Sequence, residues 1–135
     1  MRKIRRSITI LALLMLSSCE RNHDFQVDGK VLGEQGEPIP FAKVTILCWY
    51  DAGWDKMDET DTTFTTSADG MFKAQFKDGY KVIIAGVAKG YSIGVEELYD
   101  PDSSPILLKL KSDKNNLDLS TIDLREHIIG NYSNE

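Results

Sequence analysis

The sequence predicts an all-β chain: a seven-stranded antiparallel Greek-key β-sandwich preceded by a signal peptide. Three observations predict it. From Phe25 onward apolar and polar residues alternate in short runs, as at Phe72, Ala74 and Phe76, the period of two that sets one side of a strand on a core. Gly, Pro and Asp-Gly pairs punctuate those runs at short intervals, as turns between strands require. The first nineteen residues, MRKIRRSITILALLMLSSC, join a basic start to the apolar run Ile8 to Leu16 and then to small residues, the layout of an export signal.

Nine helical residues span about 14 Å, whereas a bilayer core needs roughly 20, so the apolar run is too short to be a permanent span. Its end, LSSC from Leu16 to Cys19, resembles the bacterial lipobox. That resemblance implies diacylglycerol on the Cys19 thiol, cleavage before Cys19 and a further acyl chain on the freed amine. Several chains together hold a protein to a membrane where one is marginal. The expected organisation is a signal peptide over 1–18, lipidated Cys19 and a short tether over 19–24, a sandwich over 25–126 and a C-terminal tail over 127–135. The five residues after Cys19 reach at most about 18 Å, which keeps the domain close to its membrane. Because Glu20, not aspartate, follows the cysteine, the expected location is the outer membrane of a bacterial envelope.

Charge narrows the partners. Four of the sixteen basic residues lie in the first six positions, and no acid precedes Glu20. Without them the chain has 12 basic and 21 acidic residues, a net charge of −9. So acidic a body repels phosphate backbones, which argues against nucleic acid. The expected partners are the membrane, through the lipid anchor, and an envelope protein or polysaccharide. No cofactor is implied. Of the two cysteines, Cys48 shares strand parity with Val44 and Ile46 and reads as a small buried hydrophobe.

Taken in order, FQVDGKVLG opens the strands, and GEQGEPIP is a loop whose prolines cannot serve a central ladder. FAKVTILCWY places Ala42, Val44, Ile46, Cys48 and Tyr50 on one side. DTTFTT is short and β-branched. SADG turns the chain into MFKAQF, and KDG turns it again into YKVIIAGVA, apolar on both parities and hence central. YSIGVEEL follows as an edge, then the turn DPDSSP, Asp100 to Pro105, and then SPILLKLK. LDLSTIDL is read as the closing strand. The alternative is a helix capped by Ser120 and Asp123 and running to Gly130.

Four of these stretches carry a resemblance: VDGKVLGEQGEPIPFAKVTI, TTSADGMFKAQF, GYKVIIAGVAKGY and LDLSTIDL. In this order they resemble the carboxypeptidase regulatory-like domain of the transthyretin-like group, over roughly residues 25 to 125. Ser120 stands where that family commonly has glycine. The matched residues shape turns, as Asp69-Gly70 does by admitting positive φ. They imply a fold far more than a function.

Relatives in that group that are enzymes use several histidines and an arginine, or hold iron with two Tyr and two His. This chain has two histidines, His23 and His127, not at ligand spacing. The sequence therefore predicts no catalytic residues, no metal site and no enzymatic activity. What it offers instead is CWYDAGWDKMDETDTTF, Cys48 to Phe64, where Trp49, Tyr50 and Trp54 are candidate ligand-binding residues at one end of a sandwich. Asp51, Asp55, Asp58, Glu59 and Asp61 lack the Asp-x-Asp-x-Asp-Gly spacing of a calcium loop. A solvated acidic hairpin is the simpler reading. The expected function is a non-catalytic, membrane-anchored module for protein or envelope-polymer interaction. The alternative is a small-ligand or glycan binder using Trp49, Tyr50 and Trp54.

Overall fold

Strong β-formers broken by tight turns give β1 (His23–Leu32), β2 (Lys43–Asp51), β3 (Met57–Thr65), β4 (Met71–Gly79), β5 (Lys81–Val87), β6 (Gly94–Leu98) and β7 (Ile106–Lys109), followed by one helix, α1 (Leu124–Tyr132). The structure, a computed structural model, describes residues 23–99 and 105–132. The signal peptide, Cys19 and most of the tether lie outside the described residues, as does most of the Asp100–Pro105 turn. The chain is mostly β and forms two sheets, ordered β4-β1-β7 and β3-β2-β5-β6.

The alternation read from the sequence explains the core between the sheets. Phe25 and Val27 of β1 and Phe72 and Phe76 of β4 face Val44 and Ile46 of β2 and Val82 and Ile84 of β5. Two glycines make this packing close. Gly29 pairs with Phe72, and a Cβ at Gly29 would stand 2.2 Å from the Phe72 ring. Gly70, at φ 72°, closes the SADG turn by donating its N–H to the Ser67 carbonyl at 3.0 Å. There a side chain would meet the carbonyls of Val31 and Ile39 at 2.8 Å.

Three expectations need correction. The pairing is not wholly antiparallel, because β1 and β7 run parallel, with Gly29 beside Ile106 and Leu32 beside Lys109. LDLSTIDL is not a closing strand. Its residues form turns, in which the Asp118 carboxylate accepts from the Ser120 N–H at 2.9 Å and from Oγ at 2.6 Å. These bonds hold the Asp118 carboxyl below its ordinary range. Helix α1 follows, running through most of what the sequence assigns to a tail, with Ile128 fully buried. Asp123 is its N-cap, taking the Glu126 N–H at 3.1 Å, and Glu126 stands at the position of a capping-box acid.

The helix explains why β5 is apolar on both parities and why β2 is buried on its second face as well. Their second face carries Leu47, Ile83, Ala85 and Val87, which Leu124 and Ile128 cover. The molecule thus has three layers: a three-stranded sheet, a four-stranded sheet and a helix. Each fully buried Leu or Ile side chain contributes about 1.5–3 kcal/mol, so α1 is part of the fold's stability.

Candidate functional site

The stretch Cys48–Phe64 is a long hairpin. β2 and β3 pair without interruption from Lys43 with Thr65 to Asp51 with Met57. The acids at 58, 59 and 61 therefore lie on a strand and not in a loop. Alternation along β2 then separates its aromatic residues. Tyr50 follows Cys48 onto the core side, half-buried beside its cross-strand partner Asp58. Burial, then the Asp58 charge and hydrogen bond, push its phenol above the ordinary range. Trp49 turns to the helix side and packs against the second core cluster.

Trp54 touches neither. It stands at the hairpin tip, fully exposed, in a turn where Gly53, Trp54 and Asp55 all have positive φ. The tip is held by the Ala52 N–H to the Lys56 carbonyl at 2.8 Å and by the Gly53 N–H to Asp51 Oδ1 at 2.9 Å. A tryptophan in the left-handed region carries a steric cost, so the local hydrogen bonds hold it there. Trp49, Tyr50 and Trp54 therefore belong to one end of the fold but point three ways.

A different group converges on Trp49. Cross-strand pairing sets Lys81 beside it, with Lys81 Nζ 5.5 Å from the Trp49 ring centre and 5.3 Å from that of Tyr99. Tyr80 meets Tyr99 edge to face at 6.5 Å. Lys81 is only 6% exposed, which its charge would not tolerate without partners. Two ring faces and the Glu97 carboxylate at 3.7 Å serve it. The Tyr99 hydroxyl donates to the same carboxylate at 3.2 Å. Lys81 thus sits beneath the rings and fixes them, while Tyr80 (41% exposed) and Tyr99 (54% exposed) present surface to solvent.

Beside this platform, Arg125 of α1 reaches back to β3. It pairs with Glu59, with Asp61 at 3.3 Å and with Glu126 at 3.4 Å. Sequence reading finds Trp49 and Trp54 but misses Tyr80, Lys81, Glu97 and Tyr99. The signal was present in register: Trp49, Lys81 and Tyr99 fall in one cross-strand row once β2, β5 and β6 are aligned.

Other groups have different roles. Burial pushes the Cys48 thiol up to about 11, which keeps it protonated and unreactive near neutrality. His23 begins β1 in the three-stranded sheet, whereas His127 lies on α1 beyond the four-stranded sheet. Among the described residues no group of three or more His, Cys, Asp or Glu is placed to hold a metal ion. Among them also, no helix is long and apolar enough to cross a membrane.

No family model matches the chain, and no curated protein matches it. Solved structures do. A hydroxyquinol 1,2-dioxygenase from Pseudomonas putida superposes with a TM-score of 0.50 and 14% identity over 68% of this chain and 57% of that one. A catechol 1,2-dioxygenase from Acinetobacter sp., inhibited by bound mercury, gives 0.52 and 13% over 79% and 58%. The chain spans a little over half the length of these enzymes. The expectation that excluded enzymatic activity is corrected by this finding, because the proteins sharing the architecture are themselves enzymes. At such identity the likeness shows the fold alone.

Proposed function

We propose that this chain is a bacterial envelope lipoprotein, anchored through acylated Cys19, whose sandwich binds an envelope polysaccharide at the aromatic end of the four-stranded sheet. The observation that carries the reading is the convergence of Trp49 and Tyr99 on buried Lys81, with Tyr80 edge-on to Tyr99. Rings fixed by a cation beneath them are a preorganised surface for the apolar faces of sugars, and preorganisation lowers the entropic cost of binding. Glu97, Glu59 and Arg125 stand close by as hydrogen-bonding groups for hydroxyls. Trp54 stands fully exposed at the tip of the β2–β3 hairpin, beyond the Trp49 end of the sheet.

The anchor is supported by the basic start, the apolar run and LSSC, and the resemblance to carboxypeptidase regulatory-like domains supports a Greek-key sandwich used as a module. Outer-membrane placement belongs to the same proposal. The test of the site is a titration with soluble cell-wall glycan fragments followed by tryptophan fluorescence. Tyr99→Ala, which removes one wall of the platform, is expected to weaken binding about tenfold or more, in line with the cost of losing a binding hot spot. Binding unchanged in Tyr99→Ala would remove the platform from the account. The anchor is tested separately, by fatty-acid labelling of the wild-type chain and of Cys19→Ala.

A further inference from the structure

The two sheets are unequal, three strands against four, and the shortfall is local. β4 packs over β2, so the core-facing side of edge strand β3 extends past it. Near the SADG turn Phe64 is closed off by Phe72, their ring centres 6.2 Å apart. Farther along, a cleft of about 410 Å³ opens between the two edge strands, with Thr60 and Thr62 on the β3 side and Ala74 and Gln75 on the β4 side.

The free edge of β4 can be read from its register. Val31 donates its N–H to the Gly70 carbonyl at 2.8 Å, and Leu32 on the other side of β1 accepts from the Leu110 N–H at 2.8 Å. Odd-numbered residues of β1 thus bond toward β4. Their partners Phe72, Ala74 and Phe76 point their backbone groups at β1. By the alternation of antiparallel pairs, Lys73, Gln75 and Lys77 point theirs away from β1, along the open edge. The ladder is regular from Phe25 with Phe76 to Lys30 with Met71, and β4 contains no proline. Among the described residues, the features that blunt this edge are two lysines and the register shift between His23 and Phe25 at its far end.

We propose that the open edge of β4 takes a β-strand from a partner protein, one bearing acidic residues on its outward parity, which becomes the fourth strand of the smaller sheet. Its inward residues would fill the cleft against Thr62 and Ala74. Its outward carboxylates would stand opposite Lys73 and Lys77, both exposed, with Lys73 leaning toward Asp28 at 3.9 Å. Asp61 also borders the cleft, but its carboxylate is engaged by Arg125. A second copy of this chain is disfavoured. Antiparallel pairing of two β4 edges about Gln75 places Lys73 against Lys77, and like charges directly opposite destabilise a sheet. This proposal is independent of the polysaccharide reading, because the open edge belongs to the smaller sheet and its test residues, Lys73, Gln75 and Lys77, are not those of the aromatic platform.

The test uses the full chain in detergent and two labelled nonapeptides, one alternating valine with glutamate and the other valine with lysine, followed by anisotropy. The valine–glutamate peptide is expected to bind at least about tenfold more tightly, the size of one lost charge-assisted contact. Gln75→Pro removes a backbone N–H that faces the partner but not β1, and proline is tolerated on such an edge. It should abolish peptide binding while leaving the denaturation midpoint close to that of the wild type, which shows that the variant folds. If Gln75→Pro fails to fold, the double variant Lys73→Glu with Lys77→Glu should reverse the preference between the peptides. Equal binding of both peptides, no binding of either, or binding that survives Gln75→Pro overturns the proposal. So does a dimer in sedimentation that Gln75→Pro dissolves, since that would give the edge to a second copy.

Discussion

Cys48 shows how much one position is governed by its surroundings. Its thiol lies in a dry core, and its pKa rises to about 11 because the thiolate has no solvation there. A group whose proton is held more tightly when folded adds stability below its unfolded pKa, near 9, and loses it as pH climbs toward the folded value. Chemical denaturation at pH 8 and pH 10.5 should show stability falling more steeply in the wild type than in Cys48→Ala. Reaction with a thiol reagent at pH 8 should need unfolding. Gly29 is equally constrained. Gly29→Ala drives a Cβ into the buried Phe72 ring, and overpacking of this kind costs about 1–3 kcal/mol, measurable as a lowered denaturation midpoint. The side of the sheet on which each β2 residue falls was legible from alternation: Val44, Ile46, Cys48 and Tyr50 share the core side as the pattern indicates. What alternation also implied is that Trp49 must leave Tyr50 and face the other way, and a list of aromatic residues close in sequence does not express that.

Among the elements, the helix was the hardest to read. Its residues Leu124 to Tyr132 include Gly130 and only two fully buried side chains, so its amphipathic signal is faint, and LDLSTIDL before it imitates a strand. The sequence nevertheless held a second cue. β5 is apolar on both parities and β2 adds Leu47 and Trp49 on its second parity, and in a two-sheet sandwich one face of each strand meets water. A cover for Leu47, Ile83 and Val87 was therefore required, and the final segment was left to supply it. The cap gives a direct check. Asp123→Ala removes the acceptor for the Glu126 N–H and should cost about 1 kcal/mol. Leu124→Ala opens the interface beneath and should cost about 2–5 kcal/mol. Both are read from denaturation midpoints, with the Leu124 variant the more damaged. Equal, negligible losses in the two would mean that α1 is not docked. The length of β3 was also hidden, because Asp58, Glu59 and Asp61 suit a loop by composition. Pairing with β2, and Arg125 across two of those acids, make them a strand.

At the scale of the molecule, the all-β class and the two sheets were legible because turn residues and period-two runs agree along the chain. The parallel contact of β1 with β7 was not, since no local pattern records which strand returns beside the first. The candidate site was half legible for the same reason: Trp49 is prominent in the sequence, but Tyr80, Lys81, Glu97 and Tyr99 join it only through cross-strand register. The likeness to dioxygenases shows this architecture in proteins that do chemistry, so the assignment of binding rests on the arrangement of these side chains. The chain has two tryptophans, which makes the central claim accessible to one measurement. In Trp54→Phe the sole remaining tryptophan is Trp49, within the platform itself. Titrating that variant with soluble cell-wall glycan fragments should shift or quench its emission saturably, and the change should vanish when Tyr99→Ala is added. Emission that stays flat across the glycan titration would contradict the account.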